Sequence, residues 1–414
     1  MNKPQFTKEY SYIWLSRVLG AGSNRLYDVL ALRENIQQIL SLSFEEWKLS
    51  GILSPSELKR LKSINSDEIY ATIEYCKENN IRIITPEDSE YPNGFRSIEN
   101  PPAVIFARGL PLEENTPKIA IVGARKATEF GKKAAYSLAA KLALAGFTVV
   151  SGGAKGVDGM AHTGAMMANG KTVVVLGCGI DNDYLKEHRQ MREEAEKCGT
   201  VISEFEPKSD ATRYTFPIRN RLISALSSGV AVIEAGQKSG ALITATYAME
   251  HGKDIFALPG NINLPQYVGT NELLRDGAIP LISVEDIIEV YIGRFSDKLK
   301  TDIEITDKIK RGYFEYNSSV SKPPQKKAVK KVQEPLDTPK QEETSEFKKT
   351  PLDNMTCSKN AKKVYETFLK SIEVSDTLML RSGLKGSDFI AAITELEIFG
   401  YIKAVPVGQY CLIK

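Results

Sequence analysis

Between residues 118 and 292 the chain alternates short apolar runs with longer amphipathic segments. Runs such as KIAIVG, FTVVSGG and KTVVVLG are rich in Val and Ile, and each is followed by a helical pattern, as in TEFGKKAAYSLAAKLALAG. Continuous apolar strands separated by helices of this length are typical of a parallel sheet that is buried on both faces. The crossover rule then predicts an α/β fold with a doubly wound, Rossmann-like parallel sheet.

The pattern changes on either side of this segment. Residues 1–75 contain short periodic segments and predict a small helical N-terminal domain. A strand, a turn-rich loop and a second strand come next, so the extended Rossmann-like domain is expected to cover residues 76–292. Residues 293–356 are rich in Lys, Glu, Pro, Ser and Thr and predict a disordered linker. Residues 357–414 predict three helices and a two-stranded hairpin, a C-terminal winged-helix-like domain.

Both flanking regions contain a feature that bears on nucleic-acid binding. The turn Gly20-Ala21-Gly22 resembles a helix-hairpin-helix, whose amides hold a phosphate, although a plain tight turn between packed helices is the commoner use of such glycines. The third helix of the C-terminal domain carries Asp388, Glu395 and Glu397. These carboxylates would repel DNA phosphates, so a protein contact is favoured there over duplex recognition.

Composition limits the classes of function. The chain has 414 residues, which is more than one core usually organises, and a net charge of only +2, so any nucleic-acid surface must be local. The cysteines and histidines are scattered, which predicts no metal site and fits a reducing cytoplasm. The N-terminus lacks the layout of a signal peptide, and no apolar run approaches the ~18 residues of a membrane span. A cytoplasmic protein without a membrane association is therefore expected.

The loops that follow the strands hold the candidate binding residues, because ligands bind an open parallel sheet at the carboxyl ends of its strands. Four of these loops combine glycine amides, which can hold phosphates, with permanently charged side chains. Together they predict a site for an extended polyanion, and a single DNA strand is favoured because no helix or ribbon would project into a groove. The predicted DNA-binding residues are Gly123, Arg125, Lys126, Gly153, Lys155, Phe216, Arg219, Asn220, Arg221, Lys238, Ser239 and Gly240.

The segment FPIRNR is the most distinctive of the four loops. Pro217 fits the first turn of a helix, and Arg219, Asn220 and Arg221 are expected in the same turn. Cations beside the positive end of a helix repel it, and an anionic ligand would remove that cost. Phe216 is equally suited to packing in the core and to stacking on a base.

Two sequences near these loops resemble nucleotide-binding motifs but fail on spacing or context. A GxGxxG pattern after the first strand would need glycines where Arg125 and Thr128 stand, and the second strand does not end in an acidic residue. Gly170-Lys171-Thr172 leads from a helix into a strand, whereas a P-loop leads from a strand into a helix. No cofactor is therefore predicted.

Catalytic chemistry has weak support in these loops. Asp158 and His162 lie four residues apart on one helix face and could form an acid–base couple or a local structural pair. Glu204 and Glu234, at strand ends, could act as general bases or hold loops and basic side chains in place. No catalytic residue is predicted, and the protein is expected not to be an enzyme.

The ordered motifs GARKATEFG, SGGAKGVDGMAH, FPIRNRLIS and VIEAGQKSGALITA resemble those of the DNA-processing protein A family, DprA or Smf. The family's SGLARGID motif reads SGGAKGVD here, so Gly153 and Lys155 replace a bulkier residue and an arginine. Since lysine lacks the planar fork of arginine, this change is expected to weaken a bidentate phosphate contact.

The resemblance implies a cytoplasmic bacterial protein that binds single-stranded DNA and loads the RecA recombinase during natural transformation. It also implies a homodimer through the Rossmann-like domain. The family's DNA pocket, carried onto this chain, falls on Gly123, Arg125, the SGGAKG loop, Phe216, Arg219 and Arg221. An alternative is a phosphoribohydrolase of the same Rossmann variant that acts on nucleotides, but the PGGxGTxxE pattern of those enzymes is replaced here by EAGQKSGALITATYAME.

Overall fold

The computed structural model describes residues 6–303, 306, 356–368, 372–405 and 409–412. The chain divides into two compact units, Met1–Gln325 and Lys326–Lys414. Most of the predicted disordered linker, residues 307–355, lies outside the described residues. In the described part of the chain, no helix is both long enough and apolar enough to cross a membrane.

The first unit begins with short helices, as the periodicity of residues 1–75 predicts. Two of the helices start with capping boxes, in which Ser43 and Ser54 exchange hydrogen bonds with the glutamates three residues later. Trp47 fills the centre of the small core that these helices share. The helices are α1 (Lys8–Leu19), α2 (Leu26–Leu30), α3 (Ile36–Leu40), α4 (Phe44–Ser50), α5 (Pro55–Ser63) and α6 (Ser66–Glu78).

A nine-stranded sheet forms the centre of the unit. Its strands are β1 (Arg82–Ile84), β2 (Ile105–Gly109), β3 (Lys118–Val122), β4 (Thr148–Ser151), β5 (Thr172–Leu176), β6 (Thr200–Ser203), β7 (Gly229–Val232), β8 (Asp254–Ala257) and β9 (Ile279–Pro280). They lie in the order β1-β2-β6-β5-β4-β3-β7-β8-β9. The seven strands from β6 to β9 in this order are parallel, as predicted.

One edge of the sheet, formed by strands that precede Lys118, is not parallel and is not part of the predicted parallel sheet. Strand β2 pairs antiparallel with β6, and β1 pairs antiparallel with β2, so the sheet is mixed. An antiparallel edge on an otherwise parallel sheet is common. The apolar pattern of residues 82–109 predicts two strands, but their pairing partner, β6, lies about a hundred residues further along and leaves no local signal.

Helices cover both faces of the sheet, which explains why its strands are continuously apolar. Along β3, Ile119 and Ile121 belong to the core on one face, whereas Ala120 and Val122 belong to the core on the other. Successive side chains of a strand point to opposite faces of the sheet. A strand that is buried on both faces therefore shows no alternation of apolar and polar residues. The covering helices are α7 (Asn93–Arg96), α8 (Glu129–Ala145), α9 (Val157–Met167), α10 (Arg189–Cys198), α11 (Thr215–Leu226), α12 (Gly240–Glu250), α13 (Val268–Arg275) and α14 (Glu285–Ile292).

The packed chain continues beyond residue 292, where the sequence pattern ends the domain and begins the linker. Leu299 is buried, and Phe295 and Ile303 pack against the same core. The amide of Lys300 donates to the carbonyl of Ala145 at the end of α8. Single apolar residues spaced four apart among polar ones are too sparse to distinguish a packed segment from a linker.

Within its described residues, the second unit combines three helices with a three-stranded antiparallel sheet. The helices are Lys359–Glu366, Ser375–Ser382 and Gly386–Ile398. The strands β10 (Ile372–Val374), β11 (Ile402–Val405) and β12 (Gln409–Leu412) lie in the order β10-β12-β11. The sequence predicts only the hairpin β11–β12, because β10 is three residues long. The winged-helix assignment stays a prediction.

Candidate functional site

A cleft of about 820 Å³ opens at the carboxyl edge of the sheet. Its walls come from the loops after β3, β4 and β7 and from the segment that leads into α11, which are the regions that the sequence singles out. Eight of the twelve predicted binding residues line it: Gly123, Arg125, Phe216, Arg219, Asn220, Lys238, Ser239 and Gly240. The other four, Lys126, Gly153, Lys155 and Arg221, do not belong to its lining.

The loop after β3 is held in a fixed conformation. Thr128 caps α8 by accepting a hydrogen bond from the Gly131 amide at 3.0 Å. The buried carboxylate of Glu234 accepts from the Thr128 amide at 2.9 Å and from the Tyr267 hydroxyl at 2.7 Å. A side chain at Gly123 would lie 2.6 Å from Val157, so the close packing of this turn requires glycine. Arg125 is therefore presented from a rigid support.

Arg125 lies over the aromatic ring of Phe216. Its guanidinium carbon is 4.6 Å from the ring centroid, which is the geometry of a cation–π contact. A second aromatic ring, that of Tyr184, has its centroid 5.2 Å from that of Phe216. Phe216 is half-buried in the cleft wall, so it combines the core packing and the ligand-facing position that the sequence leaves as alternatives.

Arg219 is buried at the floor of the cleft. One guanidinium nitrogen, Nη1, donates to the carbonyls of Gly152 and Val175, at the carboxyl ends of β4 and β5. Burial lowers the pKa of Arg219, and the neighbouring carboxylate of Asp158 opposes that shift. In the part of the chain that the structure describes, Nη2 makes no hydrogen bond, so it is the atom of this side chain that can meet a ligand.

The expectation that Arg219, Asn220 and Arg221 lie in the first turn of their helix is wrong. Helix α11 begins at Thr215, two residues before Pro217, which places the two arginines in its second turn. Pro217 still fits, because the amides of the first turn have no intrahelical acceptor.

Arg221 points away from the cleft and is fully buried. Its Nη2 donates to Glu204 Oε1 at 2.8 Å, and the same oxygen accepts from the Gly22 amide at 3.1 Å. Residues two apart lie about 200° apart around a helix, so Arg219 and Arg221 cannot both face the cleft. The Gly22 amide, which would hold a phosphate in a helix-hairpin-helix, is thus engaged by a carboxylate of the same chain.

Lys155, Gly153 and Lys126 also differ from the expected arrangement. Lys155 forms an ion pair with Glu187. Gly153 has φ of 66° and donates its amide to Nε2 of His162 at 3.3 Å. Lys126 is exposed to solvent but lies outside the cleft lining. Lys155 or Lys126 would reach a ligand in the cleft only if its side chain changed conformation.

The candidate acid–base groups serve the structure. His162 accepts from the Gly153 amide through Nε2, and its Nδ1 lies 2.7 Å from the Thr172 hydroxyl, so both ring nitrogens are engaged. Burial lowers the pKa of His162 to about 3, which keeps it neutral. The Asp158 carboxylate accepts from the Ala154 amide at 3.4 Å, and burial raises its pKa. Glu204 and Glu234 hold loops and a basic side chain, as one of the two sequence interpretations has it.

Several cleft residues are absent from the sequence prediction, chiefly Thr212, Arg213, Gln237 and Ile243. Arg213 lies 4.7 Å from the ring centroid of its neighbour Tyr214, and that ring is 64% exposed. An arginine and an exposed aromatic residue immediately before the FPIRNR segment were a usable signal. Among the described residues, no cluster of His, Cys, Asp and Glu could hold a metal ion.

Comparison with known proteins places these features in one family. The model of the DNA recombination-mediator protein A family matches residues 82–292. The chain is 39% identical over 214 residues to DNA processing protein DprA of Bacillus subtilis, covering 51% of this chain and 72% of the relative. It is 32% identical over 272 residues to DNA processing protein DprA of Streptococcus pneumoniae, covering 66% of this chain and 94% of the relative.

Two solved structures are similar to the chain. The X-ray structure of the S. pneumoniae protein gives a TM-score of 0.61 at 29% identity, covering 72% of this chain and 99% of that one. A structure of DNA processing protein A from Helicobacter pylori, described for its single-stranded DNA binding mode, gives 0.47 at 32% identity, covering 51% and 97%. The family model and the sequence relatives agree with the motifs and with the mostly parallel α/β sheet, and the chain belongs to the DNA recombination-mediator protein A family.

Proposed function

We propose that this chain binds single-stranded DNA in the cleft at the carboxyl edge of the sheet and does not alter it chemically. One observation carries the proposal: Arg125, Arg213 and Lys238 converge on the cleft, and within the described residues none of the three forms an ion pair. Gly123, Gly236, Gly240 and the Phe216 ring line the same cleft. Cations and amides suit phosphates, and an aromatic ring suits a base.

The shape of the site favours a single strand over a duplex. Duplex recognition needs an element that projects into a groove, whereas this site is concave and its charged groups lie on the walls. Phe216 and Ile243 offer apolar surface inside the cleft, and Tyr214 adds an exposed ring beside it. Bases are accessible to such surfaces only when they are unpaired.

The burial of Glu234 and Glu204 supports a binding role without catalysis. A phosphoribohydrolase would need a carboxylate that can reach the nucleotide, and Glu234, in the segment that replaces the PGGxGTxxE pattern, is buried under three hydrogen bonds. Glu204 is buried against Arg221. Incubation of the purified protein with nucleoside monophosphates should release no free base, and release would overturn this part of the proposal.

The wider role follows from the family, whose members process DNA and mediate recombination. We propose that the chain acts in the cytoplasm, forms a homodimer through its Rossmann-like domain and loads the RecA recombinase onto the bound strand. The support is the family membership and the motifs of residues 118–280. Co-sedimentation of the chain with RecA on a strand precoated with single-strand binding protein tests the loading step, and failure of RecA to displace the coat would contradict it.

The decisive experiment for the cleft compares single-stranded and duplex DNA. Fluorescence anisotropy with a labelled 20-nucleotide oligothymidylate should show saturable binding, and the matched duplex should bind at least tenfold more weakly. Binding should also weaken with salt, with a slope of about −0.7 for each phosphate contact. Equal affinity for the two DNAs would contradict the preference for a single strand that we infer from the shape of the cleft.

A further inference from the structure

A second cavity, of about 460 Å³, opens at the opposite edge of the same sheet. Its walls include the first residue of β3, Lys118, and residues directly before β7 and β8. These strands are parallel neighbours, so their amino ends share the edge away from the DNA cleft. The turn after α14, residues 294–298, closes one side. The proposed DNA site does not include this cavity.

The most buried cation of the cavity is Lys118, whose side chain is almost fully enclosed. Its ammonium donates to the carbonyls of Glu114 and Thr116, both at 3.2 Å. An ammonium has three N–H groups, so one donor remains after these two bonds. Burial lowers the pKa of Lys118, the carboxylates of Glu114 and Glu113 oppose that shift, and the charge of Lys298 adds to it. Placing a charged group in such surroundings is costly unless an anion balances it.

Three further cations line the cavity: Lys253, Arg294 and Lys298. Lys298 donates to the Asn115 carbonyl. Burial and the charge of Arg294 lower the pKa of the half-buried Lys253, and the carboxylates of Asp254 and Glu114 oppose that shift. In the described ranges of the chain, neither these three residues nor Lys118 forms an ion pair with a carboxylate. Four cations therefore line one cavity, and repulsion acts between Lys118 and Lys298 and between Lys253 and Arg294.

The carboxylates of the cavity offset this charge only in part, because Glu114 and Glu113 favour the charged form of Lys118 but its pKa stays lowered. Glu113 forms an ion pair with Lys171, which lies outside the lining, and Glu114 accepts from the Asn93 amide at 3.3 Å. Asp297 is the third carboxylate. The carboxyl ends of helices α11 and α12 carry partial negative charges, each of which favours one cation at this edge of the sheet. These partial charges do not account for four cations.

We propose that this cavity binds a phosphate group, either of a free phosphate ester or of a nucleic-acid backbone outside the cleft. A phosphate dianion would accept hydrogen bonds from the remaining donor of Lys118 and from the neighbouring cations, and it would remove their mutual repulsion. The volume exceeds what inorganic phosphate needs and falls in the range of small-molecule pockets, so an ester with an organic group of nucleoside size fits.

Calorimetric titration of the full chain tests the site with inorganic phosphate, adenosine monophosphate and adenosine. Phosphate and the monophosphate should each bind saturably with a stoichiometry of one, and adenosine should not bind. The double variant Arg294→Gln/Lys298→Gln should bind phosphate at least tenfold more weakly. Both side chains are exposed, so the fold should be retained, and Lys253→Gln provides an independent second variant.

Two controls separate this site from the DNA cleft. Lys300→Gln removes an exposed lysine that neighbours the cavity but does not line it, and phosphate affinity should not change. A cleft variant, Arg125→Ala/Arg213→Ala, should also retain phosphate binding. The proposal is overturned if the wild type shows no saturable binding by about 10 mM phosphate, if the cavity variants bind as the wild type does, or if only the cleft variant loses binding.

The source of the phosphate is decided by competition in the cleft variant. Displacement of bound phosphate by an oligothymidylate that carries no terminal phosphate supports a backbone contact. Tight binding of the monophosphate without displacement by the oligonucleotide supports a free ester. Failure of both ligands to occupy the cavity overturns the inference, and it leaves the proposal for the DNA cleft untouched because that cleft lies at the other edge of the sheet.

Discussion

The arginines at the carboxyl edge of the sheet fall into two groups that differ in what their guanidinium groups contact. Arg125 and Arg213 are exposed and lie over aromatic rings. Arg219 and Arg221 are buried and donate to carbonyls and to a carboxylate of the same chain. An arginine in a binding motif can thus support the site or contact the ligand, and the two roles should separate when stability and affinity are measured together.

The largest expected effect is the loss of stability on changing Arg221→Met. The substitution leaves the Glu204 carboxylate buried without its cation, and removal of one partner of a buried ion pair costs about 3–5 kcal/mol. Urea unfolding should show this decrease in the free energy of unfolding. The double variant Arg221→Met/Glu204→Gln should recover part of it, because no unpaired charge then remains buried. If the Arg221→Met variant is as stable as the wild type, the ion pair between Arg221 and Glu204 does not support the fold.

The next effect in size is the loss of DNA affinity in Arg125→Ala/Arg213→Ala. Hydrogen bonds to charged groups contribute about 1.5–3 kcal/mol each, so affinity for oligothymidylate should fall at least a hundredfold. The salt slope should become shallower by about 0.7 for each lost phosphate contact. Urea unfolding should be unchanged, and Lys133→Ala, at an exposed position of α8, is the matched control. Unchanged affinity and slope in the folded double variant would exclude the cleft as the DNA site.

An intermediate effect is expected for Arg219→Lys, which tests whether the two groups are truly distinct. A single ammonium cannot replace a guanidinium that donates from Nη1 to two strand-end carbonyls and from Nε to Asn220 Oδ1. The free energy of unfolding should therefore fall by about 1–2 kcal/mol. DNA affinity should fall as well, with the salt slope retained because the charge is kept. A loss of affinity at unchanged stability would move Arg219 into the group that acts only on the ligand.

The smallest effect is expected for Lys155→Ala. Its partner Glu187 is partly exposed, and exposed ion pairs contribute about 0–1 kcal/mol. Both the free energy of unfolding and DNA affinity should change little. A large loss of affinity, measured by the same anisotropy titration, would show that Lys155 leaves Glu187 for the DNA, and it would return this lysine to the binding surface.

Sequence alone predicts the parallel core of the fold well because its signal is local. Each strand from β3 to β8 is an apolar run next to a helical segment, and the parallel arrangement follows from their alternation. The antiparallel pairing of β2 with β6 joins segments that are distant in the chain, and the packing of Leu299 rests on isolated apolar residues. Neither leaves a periodic pattern.

The candidate site was predictable where backbone geometry determines it. Glycines and helix starts at the strand ends place Gly123, Arg125 and Ser239 at the cleft. Helical spacing alone could have separated Arg219 from Arg221. The burial of Arg221 and the pairing of Lys155 depend on Glu204 and Glu187, which other elements supply, so the sequence near each cation does not reveal whether it is already neutralised.

The carboxylate of Glu204 joins the Gly20-Ala21-Gly22 turn to α11. Gly22 has φ of 78°, and a side chain there would lie 3.0 Å from Ile218. Its amide and Arg221 share one carboxylate oxygen. A chimaera that exchanges the N-terminal helices between relatives would therefore have to keep a glycine at this turn and an acidic residue after β6. The contact of Gly22, Glu204 and Arg221 is therefore the natural junction for such a graft, although Gly22 lies 182 residues before Glu204 in the chain.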